Sequence, residues 1–190
     1  TVTSGEDIQI SETGVYVISG TASDVTITIN AADDAKVQIV LDGVSITNAD
    51  APAIYVVSAD KTFVTTMSGS TNTLEVTGTF AAVGDTNTDA VIFSKDDLVL
   101  NGEGTLSITS TANGVSCKDD LTITGGTYSV SSTEDAFEAN DSIAIAGGTF
   151  SIDTDKDGFH CENDEDDTVG FVYVCGGSFD ISASDDGIQA

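Results

Sequence analysis

The chain has 190 residues, a mass of 19.4 kDa and a mean hydropathy of +0.09, enough for one domain with a sizeable core and too apolar for a disordered acidic segment. Its 32 Asp and Glu face five lysines and no arginine, a net charge of -27, which excludes a nucleic-acid partner and an anionic membrane surface, since both need clustered basic residues. Helix formers are scarce against Gly, Thr, Ser, Asp, Val and Ile, and no apolar run reaches the ~20 residues of a membrane span, so an all-β fold without membrane insertion is expected.

Residues 1–36 alternate apolar and polar (Ile8-Gln-Ile10, Val15-Tyr-Val17, Val25-Thr-Ile27-Thr-Ile29) without a Gly-Gly corner and read as an irregular cap with the first strands. No secretory leader stands before them, which fits either a mature secreted form or a cytosolic product. Residues 37–190 read as stacked repeats of one domain spanning 1–190. Ile39-Val-Leu41, Ile46 and Ile54-Tyr-Val56 give three strands of the first repeat. The next, from Thr62 to Asp97, is long enough to hold an insertion near 77–88.

From Leu98 the repetition is plain. Leu-Val-Leu-Asn-Gly at Leu98 returns as Leu-Thr-Ile-Thr-Gly-Gly at Leu121, Ile-Ala-Ile-Ala-Gly-Gly at Ile143 and Val-Tyr-Val-Cys-Gly-Gly at Val172, in steps of 23, 22 and 29 residues. Each is followed by a second alternating unit (Leu106, Tyr128, Phe150, Phe179) and a third (Val115, Phe137, Phe159, Ile188). Three short strands per turn of about 22 residues is the pattern of a parallel β-helix solenoid with stacked apolar columns. The nine-residue period of a calcium β-roll is absent. The third strand of the last repeat ends at Ala190 with nothing to cover it, which is expected of a fragment of a longer chain or of end-to-end self-association. Cys117 and Cys161 share a column two repeats apart, about 9.6 Å, and Cys175 lies elsewhere, so three free thiols are expected.

Carboxylates gather at the corners on either side of the third strand. Asp135, Asp157 and Asp186 fall in one column before it, and Asp119, Asp141 and Glu162 stand after it, with Asp164 beside Glu162. Equivalent residues on adjacent repeats lie ~4.8 Å apart, where like charges repel unless a cation intervenes. Two oxygens each about 2.4 Å from a calcium ion span that distance, so both sets are candidate calcium ligands. The outward positions of the third strand read Tyr55, Phe93, Ser116, Glu138, His160 and Gln189. Tyr55 and Phe93 are expected to form an exposed aromatic step for a sugar ring, extended by Phe80, with Glu138 and His160 further along the same face. His160, the single histidine, reads otherwise as a satisfied surface residue.

Leu41-Asp-Gly-Val-Ser-Ile-Thr-Asn48, Cys117-Lys-Asp-Asp-Leu-Thr-Ile-Thr-Gly-Gly126 and Ser184-Asp-Asp-Gly-Ile188 resemble the carbohydrate-binding β-helix domain of secreted bacterial proteins, related in fold to pectate lyases. The resemblance implies a right-handed parallel β-helix, bound calcium, and binding of cellulose and acidic plant polysaccharides at the cell surface or outside it. A calcium-dependent pectate lyase is the enzymatic alternative. Its base would have to be Lys95 or Lys118, and flanking aspartates raise a lysine pKa instead of lowering it. A filament or adhesin subunit built by repeat stacking is the structural alternative. The non-catalytic binding module is the preferred reading.

Overall fold

The computed structural model describes residues 1–163, 166 and 168–190, and within them the chain is strand and turn with no helix. The N-terminal part forms β1 (Ile8–Ile10), β2 (Gly14–Ser23), β3 (Ile27–Asn30), β4 (Lys36–Asn48) and β5 (Ile54–Ser58). After β6 (Lys61–Thr66) and β7 (Thr71–Val76), residues 77–89 run without a strand to β8 (Ala90–Ser94). The rest falls into sets of three. These are β9 (Leu98–Gly102), β10 (Thr105–Ser110) and β11 (Asn113–Cys117), then β12 (Asp120–Ile123), β13 (Thr127–Ser132) and β14 (Phe137–Ala139). Next come β15 (Ser142–Ile145), β16 (Thr149–Thr154) and β17 (Phe159–Cys161), and last β18 (Phe171–Val174), β19 (Ser178–Ala183) and β20 (Ile188–Gln189).

The strands pair in parallel in two sheets. One has the order β1-β3-β5-β8-β11-β14-β17-β20, and the other β18-β15-β12-β9-β6-β4-β7-β10-β13-β16-β19 with β2 beside β4. From β9 onward each strand hydrogen-bonds to the strand three places along the chain, so equivalent residues of successive repeats become neighbours. Leu98, Leu121, Ile143 and Val172 fall in one register column, and Leu106, Tyr128, Phe150 and Phe179 in another. Alternate side chains of both sheets meet in a single apolar core. Within it Phe137 and Phe159 stack at 4.9 Å and 9°, as do Phe150 and Phe179 at 4.9 Å and 2°. That distance is the spacing of neighbouring strands, so the backbone ladder sets the ring stack. Phe137, Phe150 and Phe159 are fully buried and each contributes about 1.5–3 kcal/mol by removal from water, while Phe179 is partly buried.

The corner after the first strand of a repeat must admit a neighbouring backbone. At Gly102 (φ +117°) a Cβ would lie 2.2 Å from the Thr66 carbonyl oxygen, so only glycine fits there. In β2 and β4 the first two strand positions fuse into one continuous strand, with Gly43 at φ +70° taking up the bend inside β4. The alternation in β2 also runs opposite to the most apolar reading of its sequence. Tyr16 and Ile18 pair with the buried Ile39 and Leu41, which leaves Val15 and Val17 exposed. Phe80 does not extend an outer aromatic surface; it is half-buried and packs on the main core.

Candidate functional site

The turn leading into the third strand of each repeat carries an Asx side chain with a structural task. Asn113 Oδ1 accepts the Asp135 amide at 2.9 Å, Asp135 Oδ1 accepts the Asp157 amide at 3.0 Å, and Asp157 Oδ1 accepts the Asp186 amide at 2.7 Å. Asp135 and Asp157 are consequently buried, 4% and 3% exposed, rather than solvated turn residues. Each repeat satisfies a backbone donor of the next, which a buried amide requires. One oxygen of each carboxylate is thereby committed, and the Oδ2 atoms remain for other partners.

Two groups of three ligand atoms lie within 4.8 Å of one another among the described residues: Asp135, Asp157 and His160, and Asp157, Asp185 and Asp186. His160 Nδ1 is 3.0 Å from Asp135 Oδ2 and 3.7 Å from Asp157 Oδ2, and its Nε2 is 3.3 Å from Glu162 Oε2. Partial burial disfavours the imidazolium, but the hydrogen bond and charge of Asp135, with Glu162 and Asp157, outweigh it and hold the pKa above the ordinary 6.5. That first group includes a ring nitrogen already hydrogen-bonded to Asp135 and is a poor fit for calcium, which prefers oxygen. The second group is all carboxylate, with Asp157 buried and Asp185 and Asp186 exposed, and fits a hard cation.

The expected column of Asp135, Asp157 and Asp186 is thus brought together pairwise, with Asp157 shared. The expected set of Asp119, Asp141 and Glu162 is not. Glu162 turns to His160, and Asp141 Oδ1 accepts from the Asn163 side-chain Nδ2 at 3.0 Å. Asp119 instead joins Asp33, Asp60, Asp96 and Asp97 around a shallow acidic depression. Burial, followed by the charges of Asp141, Asp96, Asp97 and Asp120, pushes its carboxyl pKa up. Asp164 lies outside the described residues.

The aromatic step is overturned. Tyr55 and Phe93 are 4% and 1% exposed, and their rings meet edge-on at 5.8 Å and 68° instead of presenting a flat surface. They form a small second cluster with Ala90 and Val57, roofed by lysines: Lys95 Nζ stands 6.0 Å from the Tyr55 ring centre and Lys118 Nζ 5.6 Å from that of Phe93. Aliphatic lysine stems cover apolar surface while the charged head stays in water, so an outward strand position need not be an exposed one. Glu138, next along the register, accepts from Ser116 Oγ at 2.7 Å and Asn113 Nδ2 at 3.2 Å and pairs with Lys118 Nζ at 3.5 Å. A depression lined by Glu138, Ala139, His160 and Glu162 continues from there.

Three features escaped the sequence reading. Asn113 heads the Asx column, a role its spacing of 22 residues from Asp135 could have signalled. Asp185 completes the all-oxygen group. The outer face of the larger sheet carries a column free of charged residues, running Val15, Gln38, Phe63, Val99, Thr122, Ala144, Tyr173. Val15 and Tyr173 at its ends are 65% and 59% exposed, on a chain whose net charge is -27.

A family model described as carbohydrate-binding domain-containing protein matches residues 4–190. A protein of Acetivibrio thermocellus with that same description is 43% identical over 190 residues, covering 98% of this chain. The chain spans 66% of that relative's length. A solved structure of the polysaccharide lyase-like protein from C. thermocellum, a gadolinium derivative, matches with a TM-score of 0.88 and 28% identity, over 98% of this chain and 85% of that one.

Proposed function

The chain belongs to the family of carbohydrate-binding domain-containing proteins, and on that premise we propose that it is a non-catalytic module for plant cell-wall polysaccharides, secreted or held at the bacterial cell surface. It takes both neutral cellulose and acidic polygalacturonate, and calcium on the carboxylates of Asp157, Asp185 and Asp186 serves the acidic polymer. The scaffold is a right-handed parallel β-helix. The pairing of every third strand supports this reading, as does the likeness to a polysaccharide lyase-like protein.

The observation that carries the reading is the geometry at Asp157. Its buried carboxylate is fixed by the Asp186 amide, and two exposed carboxylates stand within 4.8 Å of it. Calcium takes six to eight oxygens at about 2.3–2.6 Å, so three carboxylates leave coordination places open to a polymer's uronate groups. A shared cation also answers the repulsion between a polyanion and a chain of charge -27. The lyase alternative has no support of this kind: Lys118 pairs with Glu138 and lies over Phe93. For neutral cellulose the charge-free column from Val15 to Tyr173, exposed at both ends, supplies contact area without charge.

Retention on insoluble cellulose and on polygalacturonate, each with calcium and with chelator, tests this. Both polymers should retain the protein in calcium, and chelator should weaken retention on polygalacturonate alone. Retention on neither polymer overturns the reading.

A further inference from the structure

Lys95 and Lys118 are the residues whose surroundings neither charge balance nor packing alone explains. The backbone register sets Ser94 opposite Cys117, and the Lys118 amide donates to the Ser94 carbonyl at 2.9 Å, so the two lysines follow as neighbours on adjacent repeats, ~4.8 Å apart along the sheet. Both are partly exposed and both stand over the buried Tyr55–Phe93 pair.

Of the five lysines, Lys95 and Lys156 have no ion-pair partner among the described residues, and of these two only Lys95 stands over an aromatic ring. The sequence neighbours of Lys95 are engaged elsewhere. Asp96 Oδ2 accepts the Ala59 amide at 2.9 Å, and Asp97 pairs with Lys61 at 3.0 Å. The partner of Lys118, Glu138, divides its oxygens with Ser116 and Asn113. Asp89 feels the charge of Lys118 but forms no ion pair with it, and burial pushes its pKa up. Two ammonium groups therefore share one face, with donors to spare, on an aromatic floor that fixes their stems.

We propose that Lys95 and Lys118 form a seat for one uronate carboxylate of an acidic polysaccharide laid across the outer face of the eight-stranded sheet. The seat rests on the polysaccharide-binding reading above and adds a direct contact that needs no metal. Two lysines on adjacent strands, each over one ring of the Tyr55–Phe93 pair, can offer one ammonium group to each oxygen of a single carboxylate, each oxygen accepting a charge-assisted hydrogen bond. The depression of Glu138, His160 and Glu162 continues along the same face, where carboxylates accept from sugar hydroxyls. Selectivity follows from charge: the seat favours free uronate over its methyl ester.

The test compares Lys95→Met with Lys118→Met in one double variant against a charge-matched control, Lys36→Met with Lys61→Met. Methionine keeps an unbranched stem over the rings, and melting curves report whether the fold survives. Affinity is measured for polygalacturonate, its methyl ester and cellulose, in calcium and in chelator. The double variant should lose about tenfold in polygalacturonate affinity relative to the control in calcium, with ester and cellulose binding unchanged. A residual polygalacturonate affinity of the wild type in chelator should vanish in the double variant. Equal polygalacturonate affinity in variant and control overturns the seat and leaves the calcium reading standing. Loss of binding to the ester and cellulose alike, with a lowered melting temperature, assigns the lysines to structure and also overturns it.

Discussion

His160 Nδ1 lies 3.0 Å from Asp135 Oδ2, a contact between adjacent repeats that places the single histidine against a carboxylate only 6% exposed. The ring pKa is raised above 6.5 in the folded chain by this contact and by Glu162 and Asp157, against the opposing effect of burial. A raised folded-state pKa means that the pair stabilises fully below the unfolded value of about 6.5 and is lost as pH rises through the folded one. The melting temperature should therefore decline from pH 6 to pH 9 by about 2–4 °C, the equivalent of ~1 kcal/mol for a chain of this size. His160→Gln should flatten that decline. A histidine variant that still shows it shifts the cause to another group.

The same carboxylates carry the calcium proposal, and two substitutions separate their structural from their ligating duties. Asp185→Asn removes an exposed ligand with no amide to satisfy, so stability in chelator should be unchanged while the calcium-induced rise in melting temperature shrinks. Asp157→Ala strands the Asp186 amide, and should cost about 1–3 kcal/mol with or without calcium. In the wild type, calcium at a hundred times its dissociation constant should add about 2.7 kcal/mol. Differential scanning fluorimetry across a calcium series reads all three, and a flat wild-type series removes the metal from the proposal.

The columns legible in the sequence were those in which identity repeats at a fixed step. Tyr128, Phe150 and Phe179 could be aligned because Gly-Gly precedes each by two residues, and the register places them side by side. Site geometry was less legible, because alternation tells which face a side chain takes and not what covers it. Tyr55 and Phe93 point outward as read, but lysines from the next corners roof them, a tertiary contact with no periodic signature. The Asp column was recognised as stacked, while its burial was not, since a backbone amide one repeat away leaves no trace in composition. Glu162 turns to His160 and not to Asp119 and Asp141 because a two-residue offset brings the two side chains together at the strand end, a contact with no repeat signature.

All three cysteines are free, and their environments differ enough to predict reactivity. Burial pushes the Cys117 thiol up to about 12 and that of Cys161 to about 11, while Cys175 is exposed. Thiolate is the reactive form, so at pH 8 a disulfide reagent should titrate one thiol rapidly in the native protein and three after denaturation. Two rapid native thiols would show that the strand end at Cys161 opens in solution.

The aromatic residues give the sharpest contrast between an apparent and a usable surface. Phe93 is buried against Tyr55, so Phe93→Ala should act as a core truncation, costing about 3–5 kcal/mol and lowering the melting temperature by several degrees or more. Any loss of cellulose binding in it should follow the loss of fold. Tyr173 is 59% exposed at the end of the charge-free column, so Tyr173→Ser should leave the melting temperature within about 1–2 °C of the wild type, as surface changes usually do. If that column is where neutral polymer lies, Tyr173→Ser should weaken cellulose binding several-fold and leave polygalacturonate binding intact, because the aromatic ring supplies contact area and no charge. Full cellulose affinity in Tyr173→Ser, combined with its loss in a folded Phe93→Ala, would move the neutral-sugar surface back to the face of the eight-stranded sheet.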